Sequence, residues 1–249
     1  MMHVRRSHAA LFSLVAVLLL GVFSAARVVG EESSQPASYD PLEMYEVRPI
    51  RGWDVHVNQR LLAEEDLAAE VLELLEHRLA DVNRLLPRPA LEKLHTVKIW
   101  CELEHPTHPN AHYHPNPGWL EANGFLPDKH QGVEFGSARR FLNFIRPQPF
   151  VVVHELAHAY HHGFLEDGYQ NAEIREAYEA AKASGKYEEV LHINGHTTRH
   201  YALTNPMEYF AEGTEAYFGT NDFYPFVRAE LKEHDPKLYE LLERLWHLE

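Results

Sequence analysis

The apolar positions of this chain change period along its length, and each change marks an element. Trp53-Asp-Val55-His-Val57 alternates apolar and polar residues, so residues 47–57 read as one half-buried strand. From 61 to 86, Leu67, Val71, Leu74, Leu75, Leu79, Val82 and Leu86 recur at three- and four-residue steps. That spacing predicts a long amphipathic helix, stopped by Pro87, with its glutamates facing solvent. Val97-Lys-Ile99-Trp-Cys101-Glu-Leu103 is the clearest strand. Periodicity is lost over 104–131, where Pro106, Pro109, Pro115 and Pro117 fall among His105, His108, His112 and His114; this predicts a long loop. Residues 132–135 read as a short strand at a sheet edge, and 137–145 as a helix ahead of Pro147 and Pro149. A largely apolar helical run covers 150–163, and another helix covers 171–183, ending near Gly185. Residues 186–204 are polar and irregular. Asn205 then suits a helix N-cap and Pro206 the first helical position, with Met207, Phe210, Ala211, Thr214, Tyr217 and Phe218 turned inward. One or two short helices around Asp235-Pro236 close the chain, with Leu238, Leu241, Leu242 and Leu245 in the core. The pattern is α+β: a small twisted sheet, a long N-terminal helix and a mainly helical C-terminal part.

Charge narrows the partners. The 249 residues include 23 Lys and Arg against 37 Asp and Glu, a formal charge of −14. Nucleic acid and anionic membrane both call for a basic face, so this balance argues against either as a partner. Arg5 and Arg6 precede an almost wholly apolar stretch, residues 9–23, followed by Ser24-Ala25-Ala26. This is the pattern of a signal peptide over residues 1–26, and it places the mature protein outside the cytoplasm. Cleavage would remove the two arginines and take the charge from −14 to −16. The alternative is an uncleaved signal anchor, since 9–26 approaches the roughly 20 residues of a membrane span. Residues 27–44 contain Glu31-Glu32-Ser33-Ser34-Gln35-Pro36 and read as a disordered linker. Residues 45–249 are left as one domain. Its single cysteine, Cys101, sits in an apolar strand and reads as a buried small hydrophobe.

The candidate chemistry lies in Val153-His154-Glu155-Leu-Ala-His158. On a helix, residues four apart share a face, so His154 and His158 can reach one Zn²⁺ at roughly 2.0–2.1 Å each. Glu155 projects about 100° away from His154, beside the metal, where a general base for water activation belongs. A catalytic zinc takes a third protein ligand. A third histidine in H-E-x-x-H-x-x-G-x-x-H is ruled out, because His161 stands at the glycine position and Phe164 at the histidine position. His161 and His162 are expected to be carried past the metal by the continuing helix, either just behind its ligands or at the surface. Glu208, Glu212 and Glu215 lie at i, i+4 and i+7 on one stripe of a later helix. Glu208 suits the third ligand, and Glu212 suits the carboxylate that orients a ligand histidine through its free N–H. A plainer reading makes Glu208 a capping-box partner of Asn205 and all three glutamates a solvated acidic face. His112 and His114 are candidates for a second metal, though a Pro-rich loop offers them no fixed geometry; the loop reads better as one wall of a substrate cleft.

H-E-x-x-H followed by a helix carrying N-x-x-E-x-x-x-E resembles the gluzincins, thermolysin-like zinc peptidases with two histidines and a glutamate on the metal. Tyr201, seven residues before Glu208 in Tyr201-Ala-Leu-Thr-Asn-Pro-Met-Glu208-Tyr-Phe-Ala-Glu212, is similar to the anthrax lethal factor-type catalytic domain. The resemblance implies a zincin-like fold over about residues 50–245. It also implies that Tyr201 stabilises the tetrahedral intermediate. The expectation is a secreted zinc metallopeptidase with one catalytic Zn²⁺ on His154, His158 and Glu208, Glu155 as general base, and Glu212 behind the ligands. Its substrate would be a peptide or protein, cut as an endopeptidase cuts rather than an exopeptidase. Two alternatives stand beside it: a zinc hydrolase acting on a non-peptide amide or ester, and a non-catalytic zinc-binding protein.

Overall fold

In the computed structural model, residues 40–105 and 107–246 are described. The expected signal peptide and residues 27–39 of the expected linker lie outside the described residues. The last part of that linker is ordered: Leu42–Met44 form a 3-10 turn, and Asp40 Oδ1 accepts from Arg60 Nη2 at 2.7 Å.

Residues 47–57, expected as one strand, form a hairpin. β1 (Tyr45–Ile50) and β2 (Trp53–Asn58) pair antiparallel, with Ile50 opposite Trp53. Arg51 and Gly52 make the reversal at φ values of 53° and 106°. The strand pattern was there, but the left-handed turn within it lies in backbone conformation. β3 (Ile99–Cys101) runs parallel to β2, β4 (Ala111–Tyr113) comes from the expected loop, and β5 (Val133–Phe135) runs parallel to β3. β4 pairs antiparallel with the outer side of β5, giving the order β1-β2-β3-β5-β4. The expected edge at 132–135 is therefore interior, and β4 is the edge on that side of the sheet.

Alternation divides the sheet into two faces. Val55, Val57, Ile99, Cys101, Tyr113, Val133 and Phe135 enter the apolar core. His56, Trp100 and Glu134 take the opposite parity, with the His56 and Trp100 rings stacked at 4.1 Å. Lys129, fully buried, meets Glu102 and Glu134 at 2.6 Å each, and His114 Nε2 lies 2.6 Å from Glu134 Oε2. A charge taken out of water needs such partners. Cys101 is buried, and desolvation pushes its thiol pKa up, as suits a packing residue.

The expected helix at 61–86 is divided. Asn58 Oδ1 caps a short α1 (Gln59–Leu62) by accepting from Arg60 N, and Glu64 leaves helical geometry at φ −95°, ψ 73°. α2 (Glu65–Leu85) then buries Leu67, Val71, Leu75, Leu79 and Val82. Leu86 is extended ahead of Pro87, as a residue preceding proline prefers. α3 (Arg88–Leu94) leads into β3. Besides β4, the expected loop holds α4 (Pro117–Ala122), capped by Asn116, and a 3-10 turn at Pro127–Lys129. α5 (Ala138–Phe144) precedes α6 (Val151–Phe164), whose residues from Val151 to His161 are all buried. A helix buried on every side needs cover on every side. α2, α3, β4 and β5 contact α6, and so does α8 (Pro206–Phe218). Between α6 and α8 run α7 (Ala172–Ser184) and the small hairpin of β6 (Val190–Leu191) and β7 (Thr197–Thr198). α9 (Arg228–His234) and α10 (Pro236–Trp246) close the C-terminal side, where the Trp246 ring stacks on Tyr160 at 4.2 Å. No helix among the described residues is long and apolar enough to cross a membrane.

Phe150, immediately before α6, meets the C-terminal end of α8 at Gly219. A Cβ on Gly219 would lie 2.1 Å from the Phe150 ring, so this contact admits only glycine. It fixes the start of one helix against the end of the other.

Candidate metal centre

Two capping details set the site. Asn205 is extended at φ −167°, its Oδ1 accepts from Glu208 N at 2.9 Å, and Pro206 follows at the first helical position. Glu208 is thereby locked into the first turn of α8, next to the buried face of α6. There His154 and His158 lie one turn apart, 4% and 8% exposed.

Three atoms converge. His154 Nε2 lies 3.1 Å from His158 Nε2 and 3.1 Å from Glu208 Oε2, and His158 Nε2 lies 3.2 Å from Glu208 Oε2. In a tetrahedral site with bonds of about 2.0–2.1 Å, neighbouring ligand atoms stand about 3.3 Å apart. The triangle fits one face of such a tetrahedron. Two imidazole nitrogens and a carboxylate oxygen suit zinc.

Behind the triangle the charge is one-sided. Burial works against ionised Glu208, yet hydrogen bonds from both histidines hold its pKa well below the usual carboxylate range. Burial likewise opposes a charged His154, but Glu208, Glu215 and Glu212 raise its pKa well above the ordinary value. Glu212 is pushed well up by burial and then by Glu215, and Asp222 is pushed up to about 7 by the same two causes. Glu212 Oε2 and Glu215 Oε2 are buried with no hydrogen-bond partner among the described residues. Such a cluster is relieved by a divalent cation.

The carboxylate that meets His154 Nδ1 is Glu215, with Oε1 at 2.7 Å; Glu212 Oε1 stands at 3.6 Å from the same nitrogen. In this geometry Glu215, not the expected Glu212, is the carboxylate within hydrogen-bond length of the ring. Gln148 Nε2 donates to Glu215 Oε1 at 3.0 Å and completes the buttress; nothing in its sequence context marks it out. Both Glu212 and Glu215 are buried, so the solvated acidic face is overturned, while the capping reading of Glu208 is half met through its backbone N–H alone.

A cleft of about 480 Å³ opens in front of the triangle. Glu155, His112, Tyr113, Tyr169, Tyr201 and Phe223 are among the residues that line it, and among the described residues no Lys or Arg does. Tyr201, in a 3-10 turn at Tyr201–Leu203, is 47% exposed, and burial followed by the charge of Glu208 raises its pKa. His114 Nε2 meets Glu134, and among the described residues neither His112 nor His114 belongs to a group of three or more side chains whose ligand atoms converge. His162 Nδ1 bonds the Tyr113 hydroxyl at 2.9 Å, tying α6 to β4. His161 is not a surface residue: it is fully buried between Tyr169 and Phe210. The Gly168 backbone runs close by, neither ring nitrogen has a hydrogen-bond partner among the described residues, and burial takes the pKa down to about 3.

No protein-family model and no curated protein matches the chain. Among solved structures, a Pro-Pro endopeptidase from Paenibacillus alvei matches over 73% of this chain and 90% of its own, at 20% identity and a TM-score of 0.40. That likeness is too distant to carry fold or activity across.

Proposed function

We propose that this chain is a zinc-dependent peptidase of zincin-like fold, with His154, His158 and Glu208 as the metal ligands. The convergence of those three ligand atoms at 3.1–3.2 Å from one another carries the reading. When bound, zinc supplies Lewis acidity, polarising a carbonyl and bringing the pKa of water toward about 7. Glu155 lies on the cleft wall beside the triangle, takes the proton of the attacking water and returns it to the leaving amine. Tyr201, also in the cleft lining, donates its hydroxyl hydrogen to the developing oxyanion. Glu215 and Gln148 hold the His154 ring so that Nε2 faces the cleft.

A peptide is the substrate that suits the cleft wall. β4 is an edge strand, and its free side offers backbone groups to an extended chain. Cleavage at internal bonds rather than chain ends is part of the same proposal, since a strand laid along β4 can extend past the triangle in both directions. Residues 1–26 act as the export signal in this reading, and 45–249 as the catalytic domain.

The test is purified protein assayed for zinc by elemental analysis and for cleavage of a diverse peptide library. The expected result is one zinc per chain and hydrolysis by the wild type. Glu155→Gln should keep the zinc and lose hydrolysis. Wild-type protein without stoichiometric zinc refutes the metal centre. Zinc-replete protein that turns over esters or simple amides but no peptide refutes the substrate class.

A further inference from the structure

A second cavity opens beside the cleft and shares Asn110, Ala111, Phe144 and Val151 with it. Its floor is made by Phe135 and Phe141, whose ring centroids lie 4.5 Å apart. Its free space, about 20 Å³, is room for one group the size of a methyl or a water. The polar groups around it are engaged with one another. Ser137 Oγ donates to Glu104 Oε2 at 2.5 Å, and Arg140 Nη1 donates to Asn110 Oδ1 at 3.1 Å. The interior presents hydrocarbon, which suits an apolar group and leaves water poorly bonded.

Strand register connects this cavity to a substrate. Ala111 of β4 lies opposite Phe135 of β5, so both side chains point to the same face, and both line the cavity. A peptide extended along the free side of β4 places its residue opposite Ala111 with its side chain on that face too. Ala111 brings no bulk of its own, so the incoming side chain has access. Phe144, at the end of α5 and 40% exposed, is a wall of both spaces.

We propose that this cavity is a specificity subsite for one small aliphatic side chain of the substrate, of one to three carbons with a single methyl seated in the cavity, and that Phe144 sets its upper size limit. The inference rests on the peptidase reading above and adds the substrate class to it. A large or charged side chain at that position meets Phe135, Phe141 and Phe144 and is refused.

The experiment is mass-spectrometric profiling of a peptide library with zinc-loaded wild type, Phe144→Ala and Ala111→Leu. Matched peptides carrying Ala, Val, Leu or Phe at the selected position then give relative kcat/KM values. Wild type should enrich Ala and Val at one position near the cut. Phe144→Ala should shift the Leu-to-Ala ratio of kcat/KM upward by about tenfold or more, as a methylene or two in an apolar pocket is worth. Ala111→Leu, which fills the cavity from the strand side, should shift preference toward glycine. Cleavage with no enrichment at any position, or profiles unchanged in both variants, overturns the subsite and leaves the peptidase reading standing. A zinc-replete wild type that cleaves no library peptide overturns the peptidase reading, and the subsite with it.

Discussion

Removing the carboxylate behind His154 separates two ways of building the centre. Glu215 Oε1 stands 2.7 Å from His154 Nδ1 and is itself fixed by Gln148, while Glu212 Oε1 stands at 3.6 Å, beyond hydrogen-bond length. A charge-assisted bond at that distance sets the tautomer and the tilt of the ring, which leaves the Nε2 lone pair facing His158 and Glu208. Losing such a partner typically weakens metal binding by about 10–100-fold, or roughly 1.4–2.7 kcal/mol. Glu215→Ala is expected to fall in that range. Glu215→Gln keeps an acceptor and should lose about tenfold or less. Glu212→Ala should weaken binding less than Glu215→Ala, because it removes charge without removing the bond. Competition against a chromophoric chelator at fixed pH measures the zinc Kd of each variant, and thermal unfolding checks that each is folded. An unchanged Kd in Glu215→Ala, or a larger loss in Glu212→Ala than in Glu215→Ala, refutes the assignment of the buttress to Glu215.

Two further outcomes follow from the geometry. Tyr201→Phe should keep its zinc and its KM while kcat falls about 10²–10³-fold, as loss of one oxyanion donor does; a parallel loss of zinc would give Tyr201 a structural role instead. His161 is neutral in the folded protein with its pKa down to about 3, and in the unfolded chain it titrates near the ordinary 6.5. The unfolded state therefore takes up the proton first, and the stability His161 leaves intact above pH 6.5 is lost as pH falls toward 3. Between pH 7 and pH 5 the loss attributable to this one group is about 2 kcal/mol. Urea titrations of metal-free wild type and His161→Met at the two pH values should differ by that much, and parallel pH dependence in the two would dismiss the argument.

What could be read from the chain was whatever depends on near neighbours. His154 and His158 face the same way because four residues make about one helical turn, and Asn205-Pro206 starts α8 by local capping. The choice between Glu212 and Glu215 was not of that kind. Both share the stripe that starts at Glu208, and which one reaches Nδ1 depends on how α8 lies across α6. β4 was missed for a similar reason. Ala111–Tyr113 is three residues among prolines and histidines, and only pairing with β5 makes it a strand. Once it pairs there, β5 cannot be an edge. The fate of His161 also hinges on partners distant in sequence, since Phe210 of α8 covers one side of it. The break at Ala63-Glu64 and the turn at Arg51-Gly52 interrupt patterns whose apolar spacing continues through them.

The bare Cα of Gly219 against the Phe150 ring works as a gauge block. It stands at the far end of α8 from Glu208, yet it sets how closely the two helices approach, and the helices hold the three converging atoms. Helices behave as rods, so a wedge at one end is felt as a changed spacing at the other. A methyl group at position 219 would collide with the Phe150 ring and part the two helix ends, and tolerances at a ligand triangle are a few tenths of an ångström. The selectivity of such a centre for one ion over another of different radius would then be written in a residue that never approaches the ion.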